Sequence, residues 1–408
     1  MTMPPPTETV RRPSRQTLWT ATLLSLAGIV LAIALAESEY LLVPVRFEPV
    51  ARAFYRIAYA IVLPFRGLVF PFLPEMHHHW SVAHTLVVAL GAPFFYWGVW
   101  RLWRRVRGRL AVQADAGKSR TGIFELDRRS FLIASAAGTA SFATGGYGVL
   151  IEPGQLKVRQ YEIPIAGLPG ELDGLRIVHI ADTHYGPFTS LEYLDSVIDR
   201  ANSLDADLVA LTGDYVHRSP KAIEPGIGLF ARLESRLGAV AVLGNHEYWE
   251  GAEACCAAFR RIGIPVLGNR RVFVTRDGIT GGTPAGPALC VAGVGDLWEK
   301  DVQLDRALLG LDNGIPAILL SHNPDVAEEI ALDMRVDLML AGHTHGGQVR
   351  LPGLGALAHT SQYGDKYLGG LCVGPSCPVI VSRGAGLAGV PIRLGVPPEI
   401  GLVLLKRA

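Results

Sequence analysis

Residues 175–184 read Leu-Arg-Ile-Val-His-Ile-Ala-Asp-Thr-His, an apolar, β-branched run that stops abruptly on a carboxylate and an imidazole. The part from 175 to 181 predicts a buried strand. Asp182 and His184 are two positions apart, so in an extended exit both side chains leave on one side and can reach a common point. The same arrangement recurs further along. A helix is expected over 191–204, with Leu194, Val197, Ile198 and Ala201 on one stripe. A second strand over 207–212 ends on Gly213-Asp214, and a second helix is expected over 223–237. A third strand, 239–243, ends on Gly244-Asn245-His246-Glu247, with a helix expected over 252–262. Further strands are expected at 265–267, 272–275, 289–294, 317–320, 338–341, 379–381 and 400–405. His322 follows one of these, and Gly342-His343-Thr344-His345 follows the next. Strands alternating with helices, then a β-rich return, predict an α/β fold, a layered sheet sandwich with helices outside.

The residues at the strand exits share a chemistry. Carboxylate, amide oxygen and imidazole delivered from several strand ends can hold two divalent ions side by side, and paired metals are a recurring means of breaking phosphate esters. Asp214 has two oxygens and suits a bridging position. Asn245 offers a neutral oxygen and limits the negative charge of the site. His343 and His345 repeat the alternate-residue spacing, one imidazole for each ion, and Gly342, Gly346 and Gly347 leave room in that turn. Any one of these pieces is common in proteins. Five of them, ordered along the chain and each ending a strand, point to one site.

The 408 residues exceed an ordinary domain, and 49% hydrophobic against 18% charged residues, with a mean hydropathy of +0.28, is too apolar for a purely soluble enzyme. A net charge of +1 provides no basic field for nucleic acid. The apolar excess lies before residue 150. Residues 18–36 carry no charge over 19 positions, enough for a transmembrane helix at ~1.5 Å per residue. A second span is expected over 82–100, flanked by Trp80, Trp97, Trp100 and Trp103. Arg11, Arg12 and Arg15 precede the first span, and Arg101, Arg104, Arg105, Arg107 and Arg109 follow the second, which places both basic clusters in the cytoplasm. Segment 53–73, broken by Arg56, Pro64, Arg66 and Pro71, is expected to be interfacial. The organisation expected is thus a membrane region 1–110, a cytoplasmic connector 111–127, a segment 128–150 and a catalytic domain 155–408. Arg128-Arg129-Ser130-Phe131-Leu132 before a small-residue apolar run reads either as a twin-arginine export signal or as a third membrane helix. Both readings send the catalytic half to the extracytoplasmic face. Among the five cysteines, Cys372 and Cys377 either form a small-loop disulfide or remain two semi-buried thiols.

Taken together, the blocks Asp-x-His, Gly-Asp, Gly-Asn-His-Glu, His and Gly-His-x-His resemble the calcineurin-like metallophosphoesterase superfamily. Ser321-His322-Asn323-Pro324-Asp325, Ala341 through Gln348, and the tail from Ser382-Arg383-Gly384 through Pro391, Arg393 and Pro398-Glu399-Ile400 resemble its YkuE-like branch of membrane-associated or exported phosphoesterases. The resemblance covers roughly residues 157–405 and implies a four-layer αββα sandwich. By motif it implies that Asp182, His184, Asp214 and His345 bind one metal, that Asp214, Asn245, His322 and His343 bind the second, and that His246 is the general acid. Tyr215-Val216-His217 departs from the Asp-Arg of protein Ser/Thr phosphatases, which disfavours phosphoproteins as substrates. The expected mechanism is in-line attack by a hydroxide bridging the metals, with His246 protonating the leaving group. Mixed O/N ligands without thiolate suit Mn or Zn, with Fe or Co as further options. A membrane tether favours a lipid-linked phosphate or pyrophosphate, such as a phospholipid or a nucleotide-linked lipid-sugar, with a soluble cell-envelope phosphodiester or phosphomonoester as the alternative. A non-catalytic metal-binding scaffold is the competing class. The loop 359–367, with Gln362, Tyr363, Lys366 and Tyr367, is expected either to line a phosphate pocket or to be plain surface.

Overall fold

Short strands buried on both faces organise the chain from residue 144 to its end, the part that a computed structural model describes. These residues belong to the second of two compact units, Leu126–Ala408. The expected spans 18–36 and 82–100, the interfacial segment 53–73, the connector 111–127 and the twin-arginine motif lie outside the described residues. Among the described residues no helix is long and apolar enough to cross a membrane.

In chain order the elements are β1 (Lys157–Ile165), β2 (Arg176–Ile180), α1 (Leu191–Asn202), β3 (Leu208–Thr212), α2 (Ile223–Gly228), β4 (Ala239–Val242) and α3 (Asn245–Arg261). There follow β5 (Arg270–Thr275), β6 (Gly278–Thr280), β7 (Leu289–Gly293), α4 (Leu304–Leu308), β8 (Ala317–Leu320) and β9 (Leu338–Ala341). The last are β10 (Arg350–Leu351), β11 (Gly355–Ala356), β12 (Gly370–Val373), β13 (Pro378–Val381) and β14 (Glu399–Arg407). One main sheet has the order β1-β14-β2-β3-β4 and the second β12-β13-β9-β8-β7-β5-β6, while β10 and β11 pair as a small separate ribbon. Strand β14 is parallel to β1 and antiparallel to β2, so the chain's last strand completes the first sheet.

Three apolar clusters define the layers. Ile177, Leu208, Val240 and Val242 of the first sheet pack against Val291, Ile318, Leu340 and Ile380 of the second, forming the core between the sheets. The alternate residues Val178, Ile180, Val209 and Leu211 face outward and bury Leu194, Val197 and Ile198 of α1 and Phe259 of α3. On the far side Ala292, Leu319 and Met339 pack against Leu304 and Ala307 of α4 and Val326 of a 3₁₀ turn. Helix, sheet, sheet and helix are the four expected layers. Each fully buried Ile, Leu or Val contributes about 1.5–3 kcal/mol.

Three expectations about local structure are corrected. The helix expected over 223–237 ends at Gly228 and tightens into a 3₁₀ turn over Leu229–Arg232, because Gly226 and Gly228 weaken its helical propensity. Residues 265–267 make only a single bridge, Ala241 to Val266, and no strand. The helix expected from 252 begins at Asn245 and turns at Gly251, whose φ of 130° is open to glycine. Asn245, His246 and Glu247 are therefore the first turn of a helix, not a loop. Residues 144–150, read from sequence as the end of a membrane or signal segment, are helical and dock on the catalytic unit: the Arg393 N–H donates to Gly148 O at 2.9 Å.

Candidate metal centre

Strands β2, β3 and β4 of the first sheet and β8 and β9 of the second deliver the site residues just beyond their final positions. The exits are tied to one another. Asp182 N–H donates to Gly213 O at 2.9 Å, His184 N–H to Asp214 O at 3.0 Å, and Gly342 N–H to His322 O at 2.9 Å. Turning so sharply forces unusual backbone. Asp182, His184, Asp214, His343 and His345 all have left-handed φ values, between 45° and 73°. Each such conformation costs of order 1–3 kcal/mol and persists only where surroundings over-determine it. Here the strain concentrates on the residues the sequence singled out.

The structure brings all eight sequence-predicted residues together. Asp182, His184 and His345 form one buried group, and Asp214, His322 and His343 form another. In the first, His184 Nε2 and His345 Nε2 are 2.9 Å apart, and His345 Nε2 lies 3.4 Å from Asp182 Oδ1. In the second, His322 Nε2 lies 3.1 Å from His343 Nδ1. Asp214 Oδ2 touches both groups, 3.4 Å from His184 Nε2 and 3.2 Å from His322 Nε2. Asn245 is buried beside them. His246 donates its backbone N–H to Asp214 Oδ1 at 3.0 Å, and its ring centroid is 4.7 Å from that of His184.

Whether these residues fit metal ions is answered by atoms without partners. Asp182 Oδ2 and Asn245 Oδ1 are buried and accept no hydrogen bond, and the facing imidazole nitrogens cannot all donate to one another. Leaving buried acceptors bare costs ~1–3 kcal/mol each. Cations would satisfy them, and a donor set of carboxylate, amide and imidazole without sulfur suits divalent first-row metals. The residues fit.

The electrostatics agree. Burial opposes ionisation of Asp214, yet His322 and His246 hold its carboxyl well below the usual range. Burial alone would depress His322, but the charge and hydrogen bond of Asp214, backed by Asp182 and Asp296, lift it to about 10. Burial raises Asp182 to about 7 and lowers His343 to about 3. Burial likewise holds His184 and His345 well below 6.5 and lowers His246. With no cation in the cluster, the positive charge that its carboxylates favour falls on His322, a charge that a bound ion would replace.

Several supporting residues were not assigned these tasks from sequence. Glu247 accepts four backbone N–H groups: Asp214 at 2.8 Å and Gly244 at 2.9 Å on one oxygen, Tyr215 at 2.6 Å and Val216 at 3.2 Å on the other. Burial and the Asp214 charge lift its pKa to about 8, but with both oxygens accepting from N–H groups a proton there would face another hydrogen. We therefore take Glu247 as a carboxylate that anchors the Asp214 turn. His217 Nδ1 lies 3.2 Å from His246 Nδ1. Arg393, fully buried, donates to Gly384 O at 3.1 Å, Gly386 O at 2.6 Å and Val396 O at 3.0 Å, bracing the loop beside His345. Its signal in the sequence was an arginine in an otherwise apolar, glycine-rich tail.

The loop 359–367 does not present its lysine to the site. Lys366 pairs with Glu328, to which the buried Tyr367 also donates, and Ser361 and the Gln362 N–H are held by Asp325. Thr360 Oγ1 donates to His343 O at 3.3 Å, so the loop is a strut behind His343. Cys372 and Cys377 are free thiols.

Comparison with known proteins adds the class. The profile of the calcineurin-like phosphoesterases matches residues 175–347. The uncharacterized metallophosphoesterase YkuE of Bacillus subtilis strain 168 is 31% identical over 293 residues, 69% of this chain and 98% of that protein. The phosphodiesterase YaeI of Escherichia coli K12 is 30% identical over 288 residues, 69% of this chain and 99% of that protein. A transmembrane protein with metallophosphoesterase domain from Danio rerio is 31% identical over 273 residues, 64% of this chain but only 60% of that protein. The chain belongs to the calcineurin-like phosphoesterase family and is a metal-dependent hydrolase of phosphoric esters. Within that family it falls in the branch that contains YkuE.

Proposed function

We propose that the chain is a dinuclear phosphodiesterase or pyrophosphatase that acts on a phosphate ester at the outer face of a membrane. The observation that carries the catalytic part is Asp214, one carboxylate oxygen in contact with a histidine from each of two O/N ligand clusters. In this reading Asp182, His184, Asp214 and His345 hold one ion, and Asp214, Asn245, His322 and His343 the other. Two bound divalent ions would lower the pKa of a shared water toward ~7 and offset charge on the phosphoryl oxygens. Manganese or zinc suits the donors best, with iron or cobalt as further options.

The chain's own residues supply the rest. Asp214 stays ionised and, through its other oxygen, holds the His246 N–H and so the position of that ring. With His246 Nδ1 engaged by His217, Nε2 carries the proton for the departing oxygen. Glu247 prevents the Asp214 turn from relaxing when charge moves in the site. A diester is favoured over a phosphoprotein because His217, followed by Arg218, stands in place of the Asp in the Asp-Arg pair of protein phosphatases. Supporting the membrane are the apolar stretches 18–36 and 82–100 and the name of the Danio rerio relative. Export through the twin-arginine machinery and a lipid-linked substrate belong to the same reading.

The test is hydrolysis of bis(p-nitrophenyl) phosphate by the full-length protein after chelation and reconstitution with Mn²⁺ or Zn²⁺. Turnover that is abolished by chelation and restored by metal supports the reading. Tight metal binding with no turnover on any phosphoester would support the non-catalytic scaffold instead.

A further inference from the structure

The ribbon β10–β11 carries apolar side chains into solvent. Its turn and flanks read Leu351-Pro-Gly-Leu-Gly-Ala-Leu-Ala358, eight residues without a charge or a hydrogen-bonding side chain. Leu354 at the tip is 74% exposed and Leu357 60%. Lone exposed leucines are ordinary, but these two have company. The helical residues 144–150 lead into Leu150 and Ile151, 60% and 53% exposed.

One stretch of the tail holds ribbon and helix together. Arg350 N–H donates to Leu394 O at 2.8 Å and Val349 bridges Leu394, which fastens the base of the ribbon to the tail. The Gln348 amide donates to Ala388 O and Val390 O, each at 3.0 Å. From the other side, Arg393 N–H donates to Gly148 O at 2.9 Å, and Gly395 N–H to Glu152 Oε2 at 3.0 Å. The ribbon and the end of the helix therefore share one anchored platform. Val390, Ile392 and Leu394, half-buried themselves, add apolar surface to it.

We infer that Leu354 and Leu357 insert into the headgroup boundary of a lipid bilayer, beside the point where the chain leaves it. This rests on the membrane half of the proposed function and gives that half a contact surface. The origin of the chain indicates the bilayer: from Phe131 to Ile151 the sequence carries no charge, and the last residues of that run are the ones docked on the tail. A protein partner fits less well. Protein interfaces carry about one hydrogen bond per 100–200 Å², and the side chains of this stretch offer none. A bilayer boundary requires no such matching and still leaves water for backbone groups. Two of those groups are paired within the ribbon, Leu354 N–H with Leu351 O and Leu357 N–H with Val349 O, both at 3.1 Å. Arg350, exposed at the base, suits the level of the lipid phosphates. The exit from β9 that carries His343 and His345 runs on into β10, so the depth of the ribbon sets the height of the metal centre over the lipid surface.

The test places an environment-sensitive nitrobenzoxadiazole dye on the full-length protein through Leu354→Cys, in nanodiscs of equimolar phosphatidylcholine and phosphatidylglycerol. Leu332→Cys is the control, since Leu332 is 92% exposed but precedes β9, at the opposite end of the sheet from the strand exits. Native protein carried through the same labelling gives the blank for the partly exposed Cys256 and Cys372. Insertion by ~5–10 Å should bring the dye at position 354 within reach of a nitroxide high on the acyl chain, which removes about half of its emission or more and leaves position 332 unchanged. No loss at position 354, or equal loss at both positions, overturns the inference. So does a dye at 354 that is shielded from aqueous iodide yet untouched by the nitroxide, because protein, as a second copy or another segment of this chain, would then cover the ribbon. Cofractionation separates the two levels. Protein held in the disc with no quenching at 354 sinks this inference alone, and protein that fails to enter the disc removes the membrane half of the proposed function and this inference with it.

Discussion

Replacing Gly244 with alanine probes the centre by contact alone. Gly244 has φ −102° and ψ 177°, extended backbone that alanine adopts freely, so no dihedral strain enters. An added Cβ, however, would meet Asp214 Oδ1 first and would lie 2.7 Å from His322 Cγ and 2.8 Å from Asp214 N, where ordinary contact begins at 3.4 Å. The His322 ring and the Asp214 N–H would have to retreat by about 0.6–0.7 Å and the Asp214 carboxylate by more. Neither is free to do so: Glu247 grips Asp214 N at 2.8 Å, and His322 Nδ1 is bonded to Thr212 O at 2.9 Å. Overpacking of this kind costs about 1–3 kcal/mol. For a unit of this size that lowers the melting temperature by roughly 2–12 °C. The effect on metal should exceed the effect on stability, because coordination tolerates displacements of only about 0.2 Å. Metal content by plasma emission should fall well below the native value, and kcat/KM on bis(p-nitrophenyl) phosphate by about 100-fold or more. A variant that retains its full metal content and native turnover would refute the contact geometry from which this is argued.

Other substitutions separate the roles. Asp214→Asn should deplete both ions together, since one side chain contacts both clusters; loss of a single ion, read by metal stoichiometry, would deny it the shared position. His246→Asn should keep its metal but lose about 10²–10⁴ in turnover, more steeply on alkyl than on nitrophenyl esters. An equal loss on both would remove it from proton transfer. Lys366→Met breaks a partly exposed pair with Glu328 and removes the ammonium from over the Tyr363 and Tyr367 rings, and should cost about 1 kcal/mol or less, with KM unchanged. A tenfold rise in KM would return that loop to the phosphate pocket.

Much of this site was legible in the sequence because its residues interrupt apolar runs. Asp182, Asp214, His322 and His343 each follow a short, continuously apolar strand buried on both faces, so both the strand and its end could be read. β1 was not legible: it is an edge strand with Lys157, Arg159, Gln160 and Glu162 on it and Pro164 inside, features that suit an edge and hide the alternation. The start of α3 was hidden for a related reason, since Gly251 splits the helix and its first turn is occupied by site residues instead of an apolar stripe. Glu247 was visible as part of Gly-Asn-His-Glu, but its four backbone partners come from strand exits more than thirty residues away as well as from its own turn, and no local pattern encodes them.

The most direct test of the central claim is anomalous scattering from crystals of the Mn²⁺-loaded protein, collected at the manganese edge. Two peaks are expected, one on either side of Asp214, with His184 and His345 beside one and His322 and His343 beside the other. A single peak, or two that do not share Asp214, would contradict it.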